Sequence, residues 1–238
     1  MDIAKNIKII DLALFLKKEK TIIFSDFHLG YDESLNKGGV LIPRFQFKDI
    51  MERLKKIIKK KKFKAIVING DLKDEFGTIS SSEWKQTLEL LDYLSEHTKK
   101  IILIKGNHDV LLGPIAKKRN IGLKDYYKVG DVFITHGHKI PNSIELATSN
   151  IIVIGNEHPA ISLSKENRVE SFKCFLVGKW KNKMLIVLPS FNPITVGSDV
   201  LKEKFLSPFL NINIDNFNAY VVEDKVYNFG KIKKLQNL

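Results

Sequence analysis

Followed for the alternation of apolar and polar positions, the chain shows short apolar runs closed at both ends by polar residues, the pattern of buried strands. TIIFSD (21–26), KAIVING (64–70) and KIILIKG (100–106) are of this kind. Between them the period changes. FKDIMERLKKIIKK (47–60) places Ile50, Leu54, Ile57 and Ile58 at helical spacing with charges elsewhere. SSEWKQTLELLDYLSEH (81–97) opens with serine and with Glu83 in its first turn, as a capped helix does. Strand, helix, strand, helix, strand predicts a parallel sheet with crossover helices.

Past residue 130 the rhythm is different. DVFITH (131–136) and NIIVIG (150–155) still read as buried strands, with SIELATS (143–149) a short helix between them. SFKCFLVGKWKNKMLIVLPS (171–190) reads as two strands joined by a polar turn, and NAYVVEDKVYNFGKI (218–232) as a closing hairpin. No internal repeat and no Pro/Gly/Ser-rich linker interrupts the 238 residues, so residues 1–238 are expected to form one α/β domain, a sandwich of two packed sheets.

Charge adds a partner class. The formal net charge of +12 points to anionic partners such as nucleic acid or phosphorylated ligands. Nearly all of it is lysine, and only Arg44, Arg53, Arg119 and Arg168 offer a bidentate phosphate fork. Cys174 is the single cysteine, which excludes an intramolecular disulfide and a cysteine-cluster metal site. No apolar run approaches the roughly 18 residues of a membrane span, and the start MDIAKNIKII lacks a secretory layout, so a cytoplasmic protein without membrane association is expected.

The polar residues that close the strands carry the chemistry. Asp26 and His28 follow the first, Asp71 the second, Asn107 and His108 the third, His136 the next, and Asn156 and His158 the last. Each alone reads as a cap, a turn residue or a surface histidine. In an open α/β sheet, however, the loops at the carboxyl ends of the strands form the ligand crevice, so the set predicts one shared site. Carboxylate, imidazole and amide ligands without thiolate suit Mn²⁺, Fe, Zn²⁺ or Ni²⁺. Asp71, alone in its motif, is the natural bridge between two cations. Gly70, Gly106 and Gly155 precede ligand positions, where backbone must turn tightly.

This order of D-x-H, GD, GNHD, THGH and a G-x-x-H ending, over residues 26–158, resembles the calcineurin-like metallophosphoesterase superfamily. The resemblance implies an α/β/β/α sandwich of two sheets, two divalent cations with Mn²⁺ foremost, and metal-dependent hydrolysis of a phosphomonoester or phosphodiester. It implies that Asp26, His28 and His158 hold the first cation, that Asp71 bridges, and that Asn107 and His136 hold the second. His108 would face the phosphate and protonate the leaving oxygen or stabilise the transition state, oriented by Asp74 three residues after the bridge, with Asp109 the rival for that task or simply a turn stabiliser.

One position departs from the family pattern. The last motif usually reads G-H-x-H, and here Asn156 replaces the first histidine. Its amide oxygen is a weaker, harder donor that would favour Mn²⁺, and water could take the place instead. Outside the metal motifs, SDFHLGYDESLNKGGVLIP, GNEHPAI, FLVGKW and LPSFNPITVGSDV resemble the small prokaryotic phosphoesterases encoded beside DNA ligase and helicase genes. That likeness, over about residues 21–210, implies a DNA-repair setting, nuclease or phosphodiesterase activity, and helicase or ligase association. The alternatives are a metal-binding scaffold in such an assembly and a phosphodiesterase for small molecules such as cyclic nucleotides.

Other residues have two readings each. Arg44 is a phosphate clamp or a solvated charge at a helix start, and His138 supports His136 or faces solvent. Asn192 and Pro193 form a turn or a substrate wall. The run KKIIKKKKFK (55–64) is the solvated end of a helix. Trp180 in GKWKNK (178–183) is a hairpin-tip residue, or a platform on which a base stacks.

Overall fold

The computed structural model describes residues 1–59, 61–75, 79–165 and 168–235. Its first sheet has seven strands in sequence order: β1 (Asp2–Ala4), β2 (Ile7–Ile10), β3 (Ala13–Leu16), β4 (Thr21–Phe24), β5 (Ala65–Asn69), β6 (Ile101–Ile104) and β7 (Gly122–Lys124). The first four pair antiparallel and the rest parallel, so β4, β5 and β6 send their carboxyl ends to one edge. The crossovers are α1 (Tyr31–Lys37) with α2 (Gln46–Ile58), then α3 (Ser81–His97), then α4 (Gly113–Lys118).

The second sheet contains β8 (Tyr126–Val129), β9 (Val132–Thr135), β10 (Ile151–Ile154), β11 (Pro159–Lys165), β12 (Arg168–Trp180), β13 (Lys183–Val187) and β14 (Ser198–Asp199), with β15 (Asn218–Val222) and β16 (Val226–Lys231) joined through β12. Here β9, β10 and β13 run parallel and end together. The short helices α5 (Ile144–Ala147) and α6 (Ile232–Leu235) complete the fold.

Strict alternation in the second sheet explains its uninterrupted apolar strands. Ile134, Val153, Phe175, Val177 and Ile186 join Ile22, Ile66 and Ile102 of the first sheet in one core. Their neighbours Phe133, Ile152, Ile154, Cys174, Leu176, Leu185 and Val187 turn the other way, into a second core with Phe209, Phe217 and Ile232. A strand buried on both faces has no polar position to spare. α2 lays Ile50, Met51, Leu54, Ile57 and Ile58 on the first core, and its lysine-rich end is exposed, with Lys60 outside the described residues. α3 starts with a capping box between Ser80 and Glu83.

Two differences from the sequence reading stand out. The N-terminal antiparallel strands β1–β3 precede the first strand expected from the pattern. Trp180 is no stacking platform: it is 6% exposed, and its ring packs against Phe209 with centroids 5.1 Å apart. The turn that follows is Lys181–Asn182, with Lys181 exposed and in the left-handed region, its ammonium 4.4 Å from the Trp180 ring centroid, while Lys183 turns its ammonium to the carbonyls of Ala147 and Ser149. No helix among the described residues is long and apolar enough to cross a membrane.

Candidate metal centre

The loops leaving β4 and β5 extend the pairing of those strands past their ends. Asp26 N–H donates to Gly70 O (3.3 Å), His28 N–H to Asp71 O (2.9 Å) and Leu29 N–H to Leu72 O (3.0 Å). Asp26 and His28 are thereby laid beside Asp71. From the second sheet, Ser190 Oγ donates to Asp26 O at 2.7 Å and Phe191 N–H to Ser25 O at 2.9 Å, tying the end of β13 to the end of β4. The half-buried Lys173 sets its ammonium on the carbonyls of Ser190 and Asn192. Gln46, at the start of α2, donates to His28 O at 2.7 Å and to Asn192 Oδ1 at 3.1 Å.

This convergence bends the backbone. Asp26, His28, Asp71, Asn156 and His158 have φ of 55°, 45°, 38°, 63° and 47°. Left-handed non-glycine residues cost on the order of 1–3 kcal/mol each and persist where surrounding contacts over-determine them. Asparagine tolerates this region better than histidine does. Asn156 also uses its backbone N–H, which donates to Asp26 Oδ2 at 3.2 Å.

Three overlapping groups of ligand atoms result, each with members within 4.8 Å of one another: Asp26, His28 and His158; Asp26, Asp71 and His136; and His28, Asp71 and His108. His136 Nε2 lies 2.9 Å from Asp26 Oδ1 and 3.5 Å from Asp71 Oδ2. His158 Nε2 lies 3.3 Å from Asp26 Oδ1. The rings of His108 and His158 stand edge-on to His28 at 5.0 and 5.1 Å.

The carboxylate of Asp74 reaches His28 Nδ1 (3.2 Å), and what it gives His108 is its backbone carbonyl, which accepts from His108 Nδ1. This corrects the expectation that the Asp74 carboxylate orients His108. Asp109 does not take that role either. Buried beneath the loops, it accepts from Leu72 N–H (3.1 Å), Lys73 N–H (3.4 Å) and Gly106 N–H (3.0 Å), bracing the loops after β5 and β6 against each other. Glu83, part of the α3 cap, accepts from Asp74 N–H (3.2 Å) and Glu75 N–H (3.0 Å), so the helix start also holds the loop after Asp71.

The field inside the centre is steep. Burial alone would raise the Asp26 carboxyl, but His158 and His136 outweigh it and hold the group far below the usual range. Burial would lower His28 and His136, yet Asp74, Asp26 and Asp71 raise His28, and Asp26, Asp71 and Asp109 raise His136. Asp109 is pushed up to about 6 by burial and by the neighbouring Asp71. Burial and the His136 charge lower the half-buried His138, whose Nδ1 lies 3.1 Å from His136 Nδ1. Burial, then Arg53, brings Lys173 down to about 7.

A model of the calcineurin-like phosphoesterases matches residues 19–215. The chain belongs to the calcineurin-like phosphoesterase family. It is a metal-dependent phosphoesterase, a hydrolase whose family implies divalent cations. Among solved structures, this phosphoesterase is similar to the nuclease MPE of Pseudomonas putida, with 17% identity, a TM-score of 0.64 and 92% of each chain covered. YfcE, a phosphoesterase from E. coli, has 14% identity and a TM-score of 0.43 over 89% of this chain and 97% of its own. Vacuolar protein sorting 29 from Cryptosporidium parvum has 14% identity and a TM-score of 0.40 over 89% and 97%. At such identities the likeness to the Pseudomonas protein is one of fold. No curated protein sequence matches at a significant level.

The side chains of this phosphoesterase fit divalent cations. His28 Nε2, His158 Nε2 and Asn107 Oδ1 are buried without a hydrogen-bond partner among the described residues. Such atoms are costly unless a ligand takes them up. His28 gives its Nδ1–H to Asp74, which leaves the Nε2 lone pair for a metal, the arrangement by which a carboxylate sets the tautomer of a ligating imidazole. Sequence reasoning missed Ser25, Gln46, Lys173 and Ser190. Only Ser25, adjacent to Asp26, carried a signal, and the others act through contacts distant in the chain.

Proposed function

We propose that this phosphoesterase is a dinuclear phosphodiesterase that cuts nucleic acid. What carries the reading is the set of buried atoms without a hydrogen-bond partner among the described residues: His28 Nε2 and His158 Nε2, inside the ligand groups that contain Asp26 and Asp71, and Asn107 Oδ1, one residue before His108. Asp26, His28, His158 and Asp71 would hold one cation, and Asp71, Asn107 and His136 the other, with Asn156 the residue at the remaining family position. When bound, the two cations activate water and neutralise charge on the phosphate oxygens. His108 keeps its Nδ1 proton, because the Asp74 carbonyl can only accept, so Nε2 is the atom that gives a proton to the leaving oxygen. The +12 charge and the exposed Arg44, which forms no ion pair among the described residues, support a polyanionic substrate. The similar Pseudomonas structure is that of a nuclease, which agrees with this reading. The likeness to the ligase- and helicase-associated phosphoesterases supports a repair setting with such partners, and Mn²⁺ suits the oxygen-rich ligand set.

Asn156 favours a second reading, a metal-binding scaffold with little turnover. The test is metal stoichiometry after Mn²⁺ loading together with hydrolysis of bis-p-nitrophenyl phosphate and a single-stranded oligonucleotide, on the native chain and on Asn156→His. Two metals and metal-dependent cleavage in the native chain are expected. A single metal, with turnover appearing only in Asn156→His, would establish the scaffold.

Metal uptake will depend on pH with a defined sign. His28 and His136 lie above their ordinary 6.5 without metal, and only neutral imidazole ligates. Apparent affinity therefore rises as pH climbs through and beyond 6.5, with protons released on binding. Stability of the metal-free chain runs the other way: the raised histidines contribute fully below 6.5, and that contribution fades as pH rises through their folded values. Calorimetric titration in buffers of different ionisation enthalpy reads the released protons, and a pH-independent affinity would refute the assignment of these imidazoles.

A further inference from the structure

The loop between α1 and α2, residues 38–45, leaves the metal centre and returns to it. It starts one helix after His28 and ends at Gln46, whose side chain bonds His28 O. Its tip is apolar and in water: Leu41 is 88% exposed and Val40 52%. A single exposed leucine is unremarkable. This one is braced from both sides. Asn36 Nδ2 donates to Asp32 O (2.7 Å) and Ile42 O (3.0 Å), while Asn36 Oδ1 accepts from Ile42 N–H (3.4 Å). Val40 N–H donates to Leu35 O (2.9 Å), and Gly39, at φ 88°, turns the chain out of α1. The carboxamide clamp thus fixes the residue that follows Leu41.

Arg44, exposed and without an ion pair among the described residues, lies three positions beyond Leu41. Three residues span at most ~10 Å, a distance of about three base steps at 3.4 Å per step. A braced aliphatic tip three residues from a guanidinium that has no ion pair among the described residues matches proteins that push Leu, Ile or Pro between bases while cations hold the flanking phosphates. An aromatic platform for stacking is a different device, and Leu41 and Val40 cannot supply one.

We propose that loop 38–45 is a wedge: Leu41 enters the base stack beside the scissile phosphate, Arg44 holds a neighbouring phosphate, and the preferred substrate is a junction between paired and unpaired nucleic acid. This rests on the nucleic-acid reading above and names its substrate class. An anionic lipid surface is the rival occupant for an apolar and basic loop.

The test uses the full chain and a hairpin oligonucleotide with 2-aminopurine at the last base pair of its stem. With divalent metal withheld by EDTA, the native chain and Ile144→Ala, a control for exposed apolar surface, are expected to raise the fluorescence, and Leu41→Ala is not. With Mn²⁺ present, Leu41→Ala is expected to cut the hairpin about tenfold more slowly (~1.4 kcal/mol), while a linear strand of the same composition is cut at the native rate. Unchanged fluorescence and unchanged hairpin cleavage in Leu41→Ala would overturn the wedge, as would Leu41-dependent flotation with phosphatidylglycerol vesicles without any 2-aminopurine response. A native chain that brightens the probe and cuts neither oligonucleotide would sink the nuclease reading and still support the wedge. Cleavage of both without brightening would do the reverse.

Discussion

Alanine at His108 is expected to lower phosphodiester turnover by about 10²–10⁴-fold, the range a positioned general acid supplies, while metal content stays at the native level. Two features separate the effects. The backbone N–H of His108 donates to Asp71 Oδ1 at 2.9 Å, and alanine keeps that N–H, so the bridging carboxylate remains anchored. The ring is held through Nδ1 by the Asp74 carbonyl, and its Nε2 stands 3.9 Å from Asp71 Oδ2, at the edge of the ligand groups. Removing it takes away a proton donor, so esters with poor leaving groups should lose most. Turnover numbers for a series of aryl phosphodiesters, with elemental analysis of the same samples, check this. Loss of a metal along with activity would place His108 among the ligands.

Alanine at Gly106 is expected to disable the centre through space alone. A Cβ there would sit 1.9 Å from Asp71 Oδ1 and 2.3 Å from Asp71 N. The second of these is backbone, already held in the left-handed region and by the extended pairing with His28, so it cannot yield. Overpacking of this kind costs typically about 1–3 kcal/mol. The displaced group is the proposed bridge, so both cations should be lost and turnover with them. Thermal unfolding and metal stoichiometry measure the two effects, with Gly122→Ala, whose Cβ would meet nothing within 4 Å, as the neutral comparison. A Gly106→Ala chain with native Tm and native metal content would show that the two loops move apart freely.

The elements legible in the sequence were those that bury two faces or one clean stripe. β4, β5, β6, β9 and β10 each carry three or four consecutive apolar residues, and α2 and α3 carry a helical stripe and a cap. Strands β1–β3 lack the glycine or proline punctuation that marks a strand's ends, because their turns are made by Asn6 and Asp11 at positive φ. The residues at the strand ends were legible because parallel pairing brings carboxyl ends together. The role of Asp74 was not, since spacing along the chain cannot tell which of two imidazoles a carboxylate meets. That is decided by the pairing of residues 26–29 with 70–72, which sets His28 beside it. Lys173 and Ser190 were hidden for a related reason: they belong to the second sheet and act on a loop of the first.

The two tryptophans divide between the two cores, Trp84 against the first and Trp180 within the second. Each layer therefore contains its own fluorophore. The strands of the second sheet give alternate residues to both cores, so melting one layer strips the partner face from the other. Burial shared in this way couples the two layers, so the fluorescence transitions of Trp84 and Trp180 are expected to coincide. The ligand residues at the ends of β4, β5, β9 and β10 thus take their order from both layers at once, and a substitution deep in the second core is expected to loosen a centre it never touches.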